Sequence, residues 1–119
     1  GAATKDALVT YDLYKQVHGD AWHCATDDGT FGCAGFCTGP VEELLAENAY
    51  DMVYVCGPEP LMRIIAQTAA RAGVACQVSM EKRMACGVGA CLSCIVETVD
   101  GRKRACVDGP IFEAEKVVW

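Results

Sequence analysis

Met52-Val53-Tyr54-Val55-Cys56, halted at once by Gly57-Pro58, is the segment on which the fold turns. A short apolar run, rich in β-branched and aromatic residues and bounded by a breaker pair, reads as a buried strand. The next stretch predicts a helix from about Glu59 to Ala72, with Leu61, Ile64, Ile65 and Ala69 on one face and Gly73 stopping it. Val74-Ala75-Cys76-Gln77-Val78-Ser79 then reads as a second strand. Strand, helix and strand at these lengths imply a parallel β–α–β unit, whose ligand-contacting loops lie at the carboxyl ends of the strands.

Working towards the amino end, Pro40 suits the first turn of another helix, with Glu42 and Glu43 at its positive end and Leu44 and Leu45 inward. Ala21-Trp22-His23-Cys24-Ala25 reads as a third buried strand, followed by the turn Thr26-Asp27-Asp28-Gly29. Thr4 is a candidate N-cap for a first helix carrying Leu8, Tyr11 and Tyr14, ended by Gly19. Gly29, Gly32 and Gly35 lack the dinucleotide fingerprint spacing and read as loop. The loops expected at the strand ends follow Ala25, Cys56 and Ser79.

Towards the carboxyl end the character changes after Ser79. A glycine- and cysteine-rich loop precedes Ile95–Val99 and Arg102–Val107, which flank the tight-turn pair Asp100-Gly101. The fold class is therefore α/β. A partial parallel-sheet domain over 1–79 is expected to precede a small β-rich module over 80–119.

Nine cysteines is a high number for 119 residues, but four of them form a pattern: Cys86, Cys91, Cys94 and Cys106 read C-x4-C-x2-C…C. That opening is the plant-type ferredoxin spacing for a [2Fe–2S] cluster. Gly87, Gly89 and Ala90 remove side-chain bulk and leave backbone N–H groups free to point at sulfur. A hairpin about Asp100-Gly101 returns Cys106 to the neighbourhood of Cys94. An ideal two-residue hairpin would send those two side chains to opposite faces, so a bulge, a longer turn or Cys94 outside the ladder is expected. The competing reading is a structural Cys₄ zinc site in an interaction domain. Such sites usually pair two short knuckles, and Cys106 stands alone. Most of the other five cysteines read as small buried or half-buried hydrophobes, Cys33 and Cys37 giving only a weak metal hint. The odd total of nine and the lack of a secretion-type leader weaken a disulfide reading.

Composition narrows the classes further. Formal net charge is −6, which argues against a nucleic-acid surface, and no apolar run approaches a membrane span. The chain begins at Gly1 without an initiator Met, as expected of a processed form or a piece of a longer protein.

Val78-Ser79-Met80-Glu81-Lys82-Arg83-Met84-Ala85-Cys86-Gly87-Val88-Gly89-Ala90-Cys91 resembles the cluster-binding segment of the electron-transfer subunit of NAD-dependent dihydroorotate dehydrogenase. Cys106-Val107-Asp108-Gly109-Pro110-Ile111-Phe112 and the end Val117-Val118-Trp119 are similar to that subunit's terminus. Gly1–Asp6, Thr26–Gly29 and Cys56-Gly57-Pro58-Glu59-Pro60 resemble its ferredoxin-reductase-type nicotinamide domain. The resemblance implies a pyrimidine-biosynthesis oxidoreductase subunit, cytoplasmic, assembled as a heterotetramer with an FMN-bearing catalytic subunit that oxidises dihydroorotate. Electrons would pass through the cluster and FAD to NAD. It also implies that Cys56, Gly57 and Pro58 lie near the nicotinamide and that Thr26, Asp27 and Asp28 face the nucleotide.

For Asp27 and Asp28 the ribose role competes with turn chemistry before Gly29. For Cys56 the alternative is a small buried residue. The flavin-binding barrel and a glycine-rich first strand–helix unit are missing from this stretch, and Ala3 replaces an expected arginine. FAD and NAD binding are accordingly expected of a full-length parent. Related subunits serving sulfite or ferredoxin-dependent reductases are the nearest alternative. Arg102-Lys103-Arg104 reads as a solvated hairpin charge run, with a role beside the anionic cluster or at a partner as the alternative. His18 and His23 read as structural or exposed.

Overall fold

The computed structural model describes all 119 residues, Gly1–Trp119, which divide into two units, Gly1–Glu47 and Asn48–Trp119. In the first unit a 3₁₀ turn, Lys5–Ala7, precedes α1, Tyr11–His18. The single helix expected from Thr4 is interrupted because Leu8 leaves helical geometry at φ −83°, ψ 65°. Gly19 ends α1 as expected, in a left-handed conformation at φ 57°.

The strand expected over 21–25 forms only as β1, Ala25–Thr26, paired in parallel with β2, Cys33–Ala34. The reason is that Gly19–Ala21 coil into a second 3₁₀ turn and the Trp22 ring stacks on Tyr14 at 4.9 Å between centroids. His18 stacks in the same group, 6.4 Å from Trp22. The unit closes with α2, Thr38–Glu47, which carries Pro40 in its first turn.

The second unit is built on β3, Met52–Cys56, α3, Glu59–Arg71, and β4, Ala75–Ser79. β3 and β4 are parallel in register from Met52↔Ala75 to Cys56↔Ser79, as the strand–helix–strand pattern predicts. The buried face of α3 is Met62, Ile65, Ala66 and Ala69, one residue round from the expected Leu61/Ile64 stripe; Ile64 is exposed. The i, i+3, i+4, i+7 set starting at Met62 packs small alanines close to the sheet. Burying Met62 and Ile65 contributes roughly 1.5–3 kcal/mol each.

Past Ser79 come the hairpin strands β5, Ile95–Thr98, and β6, Gly101–Arg104, then the single helical turn α4, Ala105–Asp108, and β7, Ile111–Glu113. The hairpin pairs Ile95↔Arg104 through Thr98↔Gly101, so its loop is Val99-Asp100 rather than Asp100-Gly101. Gly101, at φ 95°, opens the return strand. The return strand expected to reach Val107 stops at Arg104 because α4 begins there.

β7 was not expected at all. It adds antiparallel to β4, Val78↔Phe112, and makes the fully buried Val78 the centre of a mixed three-stranded sheet. Chain from before residue 80 and chain from after it thus share one sheet.

Candidate metal centre

The four patterned cysteines are all in the second unit, on the loop before β5 and on α4. Cys94 lies just outside the ladder, one of the three resolutions expected for the face conflict. Its carbonyl accepts the Ala105 N–H at 2.9 Å, so it sits at the root of the hairpin. Cys106, in α4, is carried back beside it by a helical turn and not by the strand alternation.

These two cysteines are chemically linked. The Cys94 thiol is drawn below its ordinary value, first by the Cys106 backbone N–H. Cys106 is pushed up, first because its thiol donates to the Cys94 sulfur, then by desolvation; the Gly89 N–H acts the other way. The two sulfurs are therefore hydrogen-bond neighbours at the hairpin root.

Cys86 forms the other end. Its sulfur accepts the Cys91 N–H at 3.5 Å. The backbone N–H groups of Cys91 and Val88 draw its pKa down to about 6. A cluster sulfur is stabilised by the same kind of donor. Cys91 supplies that N–H and is itself exposed. The Cys86 and Cys94 sulfurs both act electrostatically on Cys106, which shows that loop and hairpin root share one field.

The loop takes this shape at Gly87, φ 70°, Gly89, φ 77°, and Leu92, φ 58°. Leu92, the chain's one non-glycine residue with positive φ, carries strain of about 1–3 kcal/mol. At Gly89 an added Cβ would meet Val107 Cγ2 at 2.9 Å and Arg104 Nη1 at 3.1 Å. Gly89 is therefore a place where loop backbone must lie against the α4 segment. Sequence reading missed Leu92, since nothing in its residue type signals a left-handed backbone. Of the basic hairpin run, read as solvated with a place beside the cluster as the alternative, Arg104 is the residue that lies against the loop at Gly89.

No three His, Cys, Asp or Glu donors converge on one point suited to a single metal ion. The sulfurs are arranged instead as two neighbouring pairs, Cys86 with the Cys91 segment and Cys94 with Cys106. Four cysteines, backbone N–H groups aimed at the Cys86, Cys94 and Cys106 sulfurs, and a loop relieved of bulk at Gly87 and Gly89 are a donor set that fits a [2Fe–2S] cluster.

The nucleotide candidates fall in separate units. In the first, buried Thr26 uses its hydroxyl within the loop, donating to Phe31 O at 2.7 Å and accepting from Phe31 N at 2.9 Å. Asp28 accepts from the Thr30 N–H at 3.0 Å and hydroxyl at 2.6 Å, and these bonds hold its carboxyl below the usual range. Asp27 is exposed, and its backbone N–H bonds Ala2 O at 3.0 Å. In the second unit Cys56 is exposed at the end of β3, its thiol 3.6 Å from Glu81 Oε1. Gly57 and Pro58 lead directly into α3, where Leu61 Cδ2 would lie 2.9 Å from a Cβ on Gly57. Lys82 Nζ pairs with Glu59 Oε2 at 2.9 Å, tying the loop after β4 to the start of α3. No helix is long and apolar enough to cross a membrane.

A parallel β–α–β unit followed by a four-cysteine loop and hairpin defines an α/β chain of the ferredoxin-reductase type with an iron–sulfur module. A solved chain of the NADH-dependent reduced ferredoxin-NADP oxidoreductase, described for flavin-based electron bifurcation, matches with TM-score 0.83 and 34% identity, over 98% of this chain and 41% of that one. Residues 81–118 match the family model described as the iron–sulfur cluster binding domain of dihydroorotate dehydrogenase B. The dihydroorotate dehydrogenase B (NAD(+)) electron transfer subunit of Clostridium perfringens is 46% identical over 98% of this chain and 45% of its own length. That of Caldanaerobacter subterraneus is 42% identical over 79% of this chain and 39% of its own. The chain thus spans under half the length of these curated relatives.

Proposed function

We propose that this chain is the cluster-bearing part of an electron-transfer subunit of NAD-dependent dihydroorotate dehydrogenase, an oxidoreductase of pyrimidine biosynthesis. The observation that carries the reading is the cysteine arrangement within 81–118: the Cys86 sulfur accepts the Cys91 N–H at 3.5 Å, and α4 returns Cys106 beside Cys94 at the hairpin root. Cys86, Cys91, Cys94 and Cys106 would be the four ligands that hold the cluster. When bound, a [2Fe–2S] cluster takes up and returns a single electron.

The protein's own part is to hold four thiolates, aim N–H groups at them and keep water from the buried Cys94. A one-ion zinc site would need all four donors about 2.3 Å from one centre, and the paired arrangement favours the diiron reading. The relatives' names, which print NAD(+) and electron transfer subunit, support NAD and a catalytic partner subunit; an FMN-containing partner, a heterotetramer, FAD in the full-length protein and a cytoplasmic location belong to the same proposal. Asp27, with its carboxylate exposed, is the better candidate for a ribose hydroxyl than Asp28, which Thr30 occupies. Thr26 shapes that loop; in the second unit Cys56, Gly57 and Pro58 are the candidates for nicotinamide contact.

The test is transfer from substrate. The reconstituted chain, mixed without oxygen with an FMN-bearing dihydroorotate dehydrogenase subunit, is expected to bleach when dihydroorotate is added. Bleaching only with a sulfite- or ferredoxin-linked partner would contradict the dihydroorotate assignment.

A further inference from the structure

Arg104 is placed by the hairpin and by α4 at once. It ends β6 opposite Ile95, and the next residue bonds to the Cys94 carbonyl. Asp108, one helical turn on, accepts from Arg104 N at 2.7 Å, Nε at 3.0 Å and Nη2 at 3.4 Å. One carboxylate thus fixes both the backbone and one edge of the guanidinium.

The remaining nitrogen, Nη1, is turned to the cysteine loop, where a Cβ on Gly89 would lie 3.1 Å from it. Gly89 stands between Cys86 and Cys91, and its N–H is directed at the Cys106 sulfur. Leu92, between Cys91 and Cys94, lines one concavity with Ile95, Arg102 and Arg104. Arg102 is a different case: it pairs with Glu97 at 3.0 Å and its side chain is 76% exposed, against 38% for Arg104.

We propose that Arg104, oriented by Asp108, holds a fixed positive charge against the cysteine loop and thereby raises the reduction potential of the cluster bound there. This rests on the iron–sulfur reading above. Taking up an electron adds one negative charge, so a nearby cation stabilises the reduced state more than the oxidised one. A freely swinging guanidinium would be screened by water and salt; the Asp108 tether prevents that. Asp108 offsets part of the field, but the cationic end of the pair faces the loop. An arginine suits the role because its rigid fork can satisfy one partner along one edge and present the other.

The test is an absorbance-monitored redox titration of the full chain, reconstituted anaerobically, as wild type, Arg104→Gln and Arg104→Lys. Glutamine keeps length and polarity without charge. It is expected to lower the equilibrium constant for one-electron reduction by about threefold to thirtyfold, at 59 mV per tenfold. Lysine is expected to stay within about threefold of wild type. Loss of cluster from the glutamine variant, with retention in the lysine variant, also supports a charge requirement.

A glutamine change under threefold, a rise in potential, an equal fall in both variants, or failure of the lysine variant to load would overturn the proposal, because each points to shape rather than charge. A wild-type chain that binds no iron and sulfide would overturn the cluster reading and this inference with it. A loaded wild type with an unmoved glutamine variant would sink this inference alone.

Discussion

The Cys86 thiol, drawn to about 6 by the N–H groups of Cys91 and Val88, exists as thiolate at neutral pH in the metal-free chain. Cys76 is the opposite case, pushed up by burial and by the Glu113 carboxylate. Alkylation by iodoacetamide, read by peptide mass spectrometry, should therefore show Cys86 labelling rising through a midpoint near 6. Cys76 should label only at more alkaline pH than an ordinary thiol. Equal labelling of both at neutral pH would contradict the N–H cradle.

The same cradle makes Gly89 hard to replace, because a Cβ there meets both Val107 and Arg104 at positive φ. Gly89→Ala should cost about 1–3 kcal/mol in urea unfolding and weaken cluster retention. Cys91→Ser should abolish or badly destabilise the centre, seen as loss of bound iron and sulfide. At this scale the C-x4-C-x2-C…C pattern was legible from cysteine positions alone. The conformation of Leu92 and the contact of Arg104 were not, because both depend on where α4 packs.

Among the elements, the tail does work that its sequence hides. β7 pairs with β4, the Gln77 side-chain amide donates to Glu113 Oε1 at 2.7 Å, and Val117 bridges Thr98 of β5. Val118 N bonds Glu97 O at 2.9 Å and Lys116 pairs with Asp100 at 3.0 Å. The tail is thus stapled to both the parallel strands and the hairpin that carries Cys94 at its root. Removing 111–119 should lower the thermal midpoint and the cluster content together, checked by circular dichroism and iron analysis. Loss of neither would show that the staple is dispensable.

Ile65→Ala, on the buried face of α3, should cost about 2–5 kcal/mol in urea unfolding. β3, α3 and β4 were readable because periodicity and breakers are local. β7 and α4 were not: three-residue strands and single turns are decided by partners far along the chain.

For the whole molecule, every patterned cysteine belongs to the unit Asn48–Trp119, and the residues 48–51 that open it are exposed. Limited proteolysis near 47–51 should leave iron with the larger piece; iron lost or shared between pieces would contradict this assignment. The central claim concerns the metal itself. Anaerobically prepared chain should contain iron and labile sulfide in equal amounts, about two of each, and give a rhombic paramagnetic signal after one-electron reduction. One tightly held zinc, with no sulfide, would contradict it.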